Sequence, residues 1–265
     1  LGSSDARSVT GASLKICATQ EYKRGVDMSS SEVTKKRAVI ILSGGLDSTT
    51  CMGLAKEAGY ELYPLSFDYG QRHKIEIENA KQVAEHYGVS NHHKIIKLDF
   101  LRDFGGSALT DDTIEVPNVM DGAHPDAGES EIPVTYVPGR NLLFLSIATS
   151  YAEVTGSEAI YIGVNALDYS GYPDCRPAFI HKVEEVIALA TKVGVEGKGI
   201  TIETPLIDWT KAKIIEEGLK IGVPYELTTS CYNGKAEACG VCDSCRLRLK
   251  GFEEAGSKDP IPYLI

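Results

Sequence analysis

The sequence predicts an α/β protein on a doubly wound parallel sheet, with a small C-terminal helical segment laid out to bind zinc. Three observations carry this. From residue 37 onward, short apolar runs of strand length alternate with stretches of helical apolar spacing. Glycines close the helical stretches, and four of the seven cysteines crowd between residues 231 and 245. Alternation of this kind places helices on both faces of a parallel sheet. We divide the chain at 1–36, a Ser-rich stretch read as a flexible tail, at 37–222, the α/β domain, and at 223–265, the cysteine segment.

The first strand is "AVIIL" (38–42), a continuous apolar run suited to a sheet buried on both sides. "STTCMGLAKEAG" behind it has helical spacing and stops at Gly59. "YELYPLSFDY" (60–69) reads as the second strand, "KIEIENAKQVAEHYG" (74–88) as a helix and "HKIIKLD" (93–99) as the third strand. A long loop follows. Then come a helix over about 140–155, a strand at 159–164, a helix over about 177–192, a strand at 200–205 and a helix at 211–222. His92 and His93 read as solvated polar residues without a role. Leu1 opens the chain, and we read Met28 as an original start.

Composition narrows the function classes. With 43% hydrophobic residues in 265, the chain can bury a full core. Its net charge is −10, and residues 103–135 hold eight Asp or Glu and no Lys or Arg. No basic run or arginine-rich arm is present, which argues against holding a long nucleic acid through its phosphates. A small substrate is expected. The most apolar window, 141–154, is too short to span a bilayer. Clustered cysteines point to metal ligands in a reducing compartment, hence the cytoplasm.

Chemistry concentrates at "SGGLDS" (43–48), between the first strand and its helix. Ligands in open α/β sheets sit at such strand ends. Glycines let the backbone approach a ligand, N–H groups at a helix start point at it, and Ser43 and Ser48 add hydroxyls. Phosphate is the natural occupant. The stretch lacks the Gly-Lys-Ser/Thr ending of a Walker loop and is not GxGxxG. It matches SGGxDS, the PP-loop of the ATP pyrophosphatase superfamily, which has an adenine nucleotide alpha hydrolase-like fold. There the loop holds the phosphates that leave as pyrophosphate. Asp47 would serve through Mg²⁺, because a carboxylate beside phosphates is otherwise repulsive.

Cys231, Cys239, Cys242 and Cys245 follow C-x7-C-x2-C-x2-C. Two Cys-x-x-Cys steps sharing a residue let three thiolates converge, and Cys231 closes a tetrahedron. Structural zinc is the favoured reading. An iron–sulfur cluster is the competitor, although the Cys-Pro of a ferredoxin run is missing. Cys17, Cys51 and Cys175 read as buried cysteines outside the cluster.

Several longer stretches carry a closer resemblance: "FDYGQRHKIEIENA", "IPVTYVPGRNLLFLSIATSYAE", "GVNALDYSGYPDCRPAFI", "TPLIDWTKAKIIEEG" and "CGVCDSCRLRLKGFEEAG". With the loop, they resemble the 7-cyano-7-deazaguanine synthase family (QueC) in order over residues 38–265. The resemblance implies a ligase that converts 7-carboxy-7-deazaguanine, ammonia and ATP into the nitrile 7-cyano-7-deazaguanine, a queuosine precursor. It implies ATP binding by Leu42, Ser43, Gly44, Gly45, Leu46, Asp47, Ser48 and Thr49, a zinc site on the four cysteines, and a homodimer without direct nucleic-acid or membrane contact. Arg140 and Lys211, each opening a helix, are candidates with Asp47 for handling the phosphates. "DYSGYPDCRPAF" suits a purine-like ring, with Asp168, Tyr172, Asp174 and Arg176 as candidate contacts and Tyr169 as a second stacking ring. His73 could touch the nucleotide, and the acidic loop is read either as a lid or as a solvated loop. A tRNA-thiolating enzyme, a nucleotide sensor and a macromolecule-modifying relative are the alternatives.

Overall fold

In the computed structural model, which describes residues 35–71, 75–111, 113–116, 132–167, 172–233 and 237–264, Ala38 to Ile41 are all buried within β1 (Arg37–Ile41). A strand apolar on both sides belongs inside a sheet covered on both faces. β1 takes that place. The sheet also contains β2 (Glu61–Asp68), β3 (Lys94–Lys97), β4 (Ala159–Tyr161) and β5 (Thr201–Glu203), all parallel, in the order β3-β2-β1-β4-β5.

Alternate residues of β1 enter different cores. Ala38 and Ile40 join Met52 of α1 (Leu46–Glu57), Val83 of α2 (Ile75–His86), Ile214 of α7 (Lys211–Lys220) and Phe252 of α8 (Asp243–Glu254). Val39 and Ile41 join Phe144, Leu145 and Ala148 of α4 (Arg140–Thr155) and Ile180, Val183 and Ile187 of α5 (Pro177–Ala190). The short α3 (Phe100–Phe104) and α6 (Lys192–Val195) are the other α-helices of the described residues. Sheet growth runs outward from β1 to β2 and β3, then resumes on its other side with β4 and β5. That reversal opens a crevice at the carboxyl ends of β1 and β4, where ligands bind in such folds.

Several expectations shift. The strand expected over 159–164 ends at Tyr161 and that over 200–205 covers only Thr201–Glu203, while the helix expected to 222 stops at Lys220. The helix expected to 192 ends at Ala190, because the Thr191 hydroxyl accepts from Gly194 N at 3.0 Å and starts α6. His93 is not solvated as expected. Its Nε2 lies 2.7 Å from Ser66 Oγ, which donates to the Leu42 carbonyl at 2.6 Å, and burial lowers the imidazole pKa to about 4. His92 stacks on Tyr63 with ring centroids 4.6 Å apart. The tail read over 1–36 lies outside the described residues up to residue 34, as do His73, Asp168 and Tyr169.

The C-terminal segment is fastened by a buried ion pair. Arg248, 1% exposed, donates from Nε and Nη2 to both oxygens of Asp259 at 2.8 and 3.0 Å, and from Nη1 to Thr228 Oγ1 at 2.7 Å. Tyr263 donates to the same carboxylate at 2.6 Å. No helix among the described residues is long and apolar enough to cross a membrane.

Candidate active site

The loop after β1 is braced by its own hydroxyls. Ser43 N donates to Ser48 Oγ at 3.1 Å, Gly45 N donates to Ser43 Oγ at 3.2 Å, and the two hydroxyl oxygens lie 3.0 Å apart. Ser48 and Thr49 both donate to the Gly45 carbonyl. Thr49 is thereby turned into the helix, fully buried, while Ser43, Gly45, Asp47 and Ser48 line a cavity.

Gly44 has a reason the sequence did not reveal. At φ +85° it occupies the left-handed region, and a Cβ there would lie 2.2 Å from the Glu76 carbonyl and 2.7 Å from Ala80 N. The glycine lets the start of α2 press against the loop. Gly163 does the same beyond β4, where a Cβ would stand 3.0 Å from Ser48 N at the start of α1. The ends of β1 and β4 can therefore approach one helix N-terminus.

The cavity, about 230 Å³, lies between these strand ends. That is smaller than the ~300–1,000 Å³ of enclosed pockets for drug-sized ligands, so a nucleotide would fill it only in part. Besides the loop it is lined by Tyr69, Gln71 and Glu76, by Arg140, Asn141 and Phe144 of α4, by Gly163 to Asn165, and by Tyr172 and Cys175. Leu109, from the acidic loop, also lines it and is buried, so that part of the loop is packed rather than solvated. Residues 117–131 of the loop lie outside the described residues.

The candidate residues divide. Lys211 reaches Asp47, placing Nζ 2.7 and 2.9 Å from its two oxygens. Arg140 lines the cavity and donates to Tyr69 Oη at 3.3 Å. Burial alone would lower its pKa, but Tyr69, Tyr172 and Asp174 outweigh that and raise it, so the guanidinium stays charged. Tyr172 lines the cavity with its hydroxyl 2.6 Å from Thr135 Oγ1. Asp174 supports α4 instead of facing the cavity. Its Oδ2 accepts from Asn141 N at 3.1 Å, satisfying a free N–H at the start of α4 and fixing the helix that carries Arg140. Its Oδ1 is buried without a partner among the described residues. Arg176 is exposed before α5 and does not line the cavity; Asp168 lies outside the described residues.

Sequence reasoning missed Glu76 and the wall contributed by the C-terminal segment. Thr229, Ser230, Tyr232 and Ser244 all line the cavity, and Thr229 N donates to the Gly44 carbonyl at 3.1 Å. The one available signal was the polar "TTS" abutting Cys231. The ligand sulfurs of Cys231, Cys239, Cys242 and Cys245 lie within 4.8 Å of one another, with Cys239 and Cys245 at 3.9 Å. Tetrahedral bonds of about 2.3 Å give sulfur separations of about 3.8 Å, so the four fit a thiolate-bound metal ion. Backbone N–H groups of Asn233, Cys239, Val241 and Cys242 point at these sulfurs at 3.3–3.4 Å. Hydrogen bonds from Cys242 and Cys245 lower the Cys231 pKa and favour its thiolate.

The sequence model of the family described as "Queuosine biosynthesis protein QueC" matches residues 37–256. Among curated relatives, the "7-cyano-7-deazaguanine synthase" of Oceanobacillus iheyensis is 59% identical over 232 residues, which is 88% of this chain and 100% of that one. The protein of the same name in Saccharophagus degradans is 57% identical, covering 87% and 99% of the two chains. The "7-cyano-7-deazaguanine synthase 2" of Desulfitobacterium hafniense is 56% identical, covering 86% and 94%.

Proposed function

Because the chain belongs to the family of queuosine biosynthesis protein QueC, we propose that it is an ATP-dependent carbon–nitrogen ligase making 7-cyano-7-deazaguanine from 7-carboxy-7-deazaguanine and ammonia. The observation that supports this reading most directly is the shared cavity. It sets an anion-type loop and a tyrosine-and-arginine wall on the same space, so that a nucleotide phosphate and a ring carboxylate can meet there.

A free carboxylate resists ammonia because its leaving group would be oxide. Adenylation replaces that with a phosphate. Ammonia then forms the amide, and a second activation of the amide oxygen, followed by its loss, leaves the nitrile. Catalysis of this kind is mostly positioning and charge stabilisation. The loop N–H groups with Ser43 and Ser48 hold the phosphates; Asp47 would hold Mg²⁺, which would supply positive charge at the phosphates, and Lys211, paired with Asp47, adds its own. Arg140 meets the negative charge that develops between acid and nucleotide, and the Tyr172 ring takes the deazapurine.

Cys231, Cys239, Cys242 and Cys245 would hold zinc, which would fasten the segment carrying Thr229, Ser230, Tyr232 and Ser244 to the loop and leave bond making to the cavity residues. We assign ATP binding to residues 37–222 and the metal-held wall to 223–265, in a cytoplasmic homodimer that acts on small molecules and touches no nucleic acid.

The experiment is mass spectrometry of the purified protein with 7-carboxy-7-deazaguanine, ammonium, Mg²⁺ and ATP, with pyrophosphate followed in parallel. Nitrile and pyrophosphate together are expected. Neither product from folded, metal-loaded protein would overturn the assignment.

A further inference from the structure

Amide formation from ammonia releases a proton at the attacking nitrogen, and few groups lining the cavity can receive it. Asp47 has both oxygens on Lys211. Burial holds Tyr69 and Tyr172 above their usual range and pushes the Cys175 thiol up to about 12. No histidine lines the cavity among the described residues. Glu76 is left. It lies in the first turn of α2 with its backbone pressed on Gly44 of the loop, lines the cavity with Arg140, and its side chain accepts no hydrogen bond among the described residues.

We propose that Glu76 is the base of the amide-forming step, its carboxylate taking a proton from ammonia as the nitrogen attacks the activated carboxyl carbon. The assignment rests on the ligase reading above. In the step, the nitrogen lone pair forms the carbon–nitrogen bond and one N–H proton passes to the Glu76 carboxylate. The bond from carbon to the phosphate-bearing oxygen breaks, and its electron pair leaves with AMP. Glu76 then returns the proton to water.

The groups around it suit that cycle. Among the described residues, Arg140 from α4, Tyr69 beyond β2 and Cys231 before α8 are the titratable groups that act on it, and Asp47 from α1 shares its cavity. Burial raises the carboxyl to about 7, with Arg140 pulling the other way, which is the range where a general base works near neutral pH.

The test is Glu76→Gln, with Glu76→Asp as the second variant, each read by two assays. The first is ATP–pyrophosphate exchange dependent on 7-carboxy-7-deazaguanine, which needs no ammonia; the second is nitrile formation at fixed ammonium across pH. We expect exchange within a few-fold of the parent and nitrile formation at neutral pH down about 100-fold or more for Glu76→Gln. Part of the loss should return at alkaline pH, where a second free ammonia can take the proton. Glu76→Asp should fall between, and it carries the test if Glu76→Gln does not fold. Unchanged nitrile formation overturns the role. So does a matching loss of exchange, which would place Glu76 with the phosphates. Absence of exchange in the parent protein overturns the ligase reading itself, and the role with it.

Discussion

The cavity at the strand ends and the C-terminal segment beside it share a wall but differ in how completely their polar groups are matched. Around Arg248 the guanidinium, the Asp259 carboxylate, Thr228 and Tyr263 satisfy one another within 2.6–3.0 Å, the first three buried and Tyr263 half-buried. In the cavity, the Glu76 side chain has no hydrogen-bond partner among the described residues, and burial raises its carboxyl to about 7. Arg140 is held to Tyr69 by a bond of 3.3 Å. A closed network fixes one structure, whereas polar groups left incomplete cost stability and persist where a ligand completes them. Rigidity in one region thus supports incompleteness in the other.

The harshest break in this contrast is loss of the metal proposed for the four cysteines. Cys245→Ala, or a strong chelator, should unfold the segment around residues 231–245 and detach Thr229 from the loop, abolishing nitrile formation. Proteolysis and metal content by mass spectrometry would check this, and a fully active, protease-resistant apoprotein would contradict it. Damage confined to the cavity should look different. Asp47→Asn is expected to reduce activity by about 10³-fold, the loss typical when a group of the charge-handling machinery is removed, with a smaller fall in melting temperature than a break at Arg248. Steady-state kinetics beside calorimetry separates the two.

Arg248→Met should reverse that pattern. It strands Asp259 as a buried charge, at a cost of about 3–5 kcal/mol in urea unfolding, while folded protein at low temperature keeps most of its turnover. The smallest effect concerns His93, whose folded pKa of about 4 lies below its ordinary value of 6.5. A base depressed on folding is protonated more readily when unfolded. Its stability contribution is therefore complete above about pH 6.5 and is lost as pH falls toward 4. Urea midpoints at pH 7 and pH 5 should differ less in His93→Gln than in the parent.

Much of this molecule was legible in the sequence because its signals are local. The apolar run of β1, the SGGLDS turn, the opening of α4 at Arg140 and the cysteine spacing each lie within a few residues, and each landed where the pattern placed it. What escaped were relations across long stretches of chain. Lys211 lies 164 residues from Asp47, and the hydroxyl run before Cys231 meets a loop at Gly44. Asp174, read as a substrate contact, does not line the cavity, and one of its oxygens meets the start of α4, 33 residues earlier in the chain. Glu76 looked like any acidic residue in a helix's first turn until α2 packed on the loop. Residue type and spacing determine which local elements form and what chemistry they can offer. Which side chains meet, and which polar atoms stay unmatched, is decided only when packing the two faces of the sheet fixes those elements against one another.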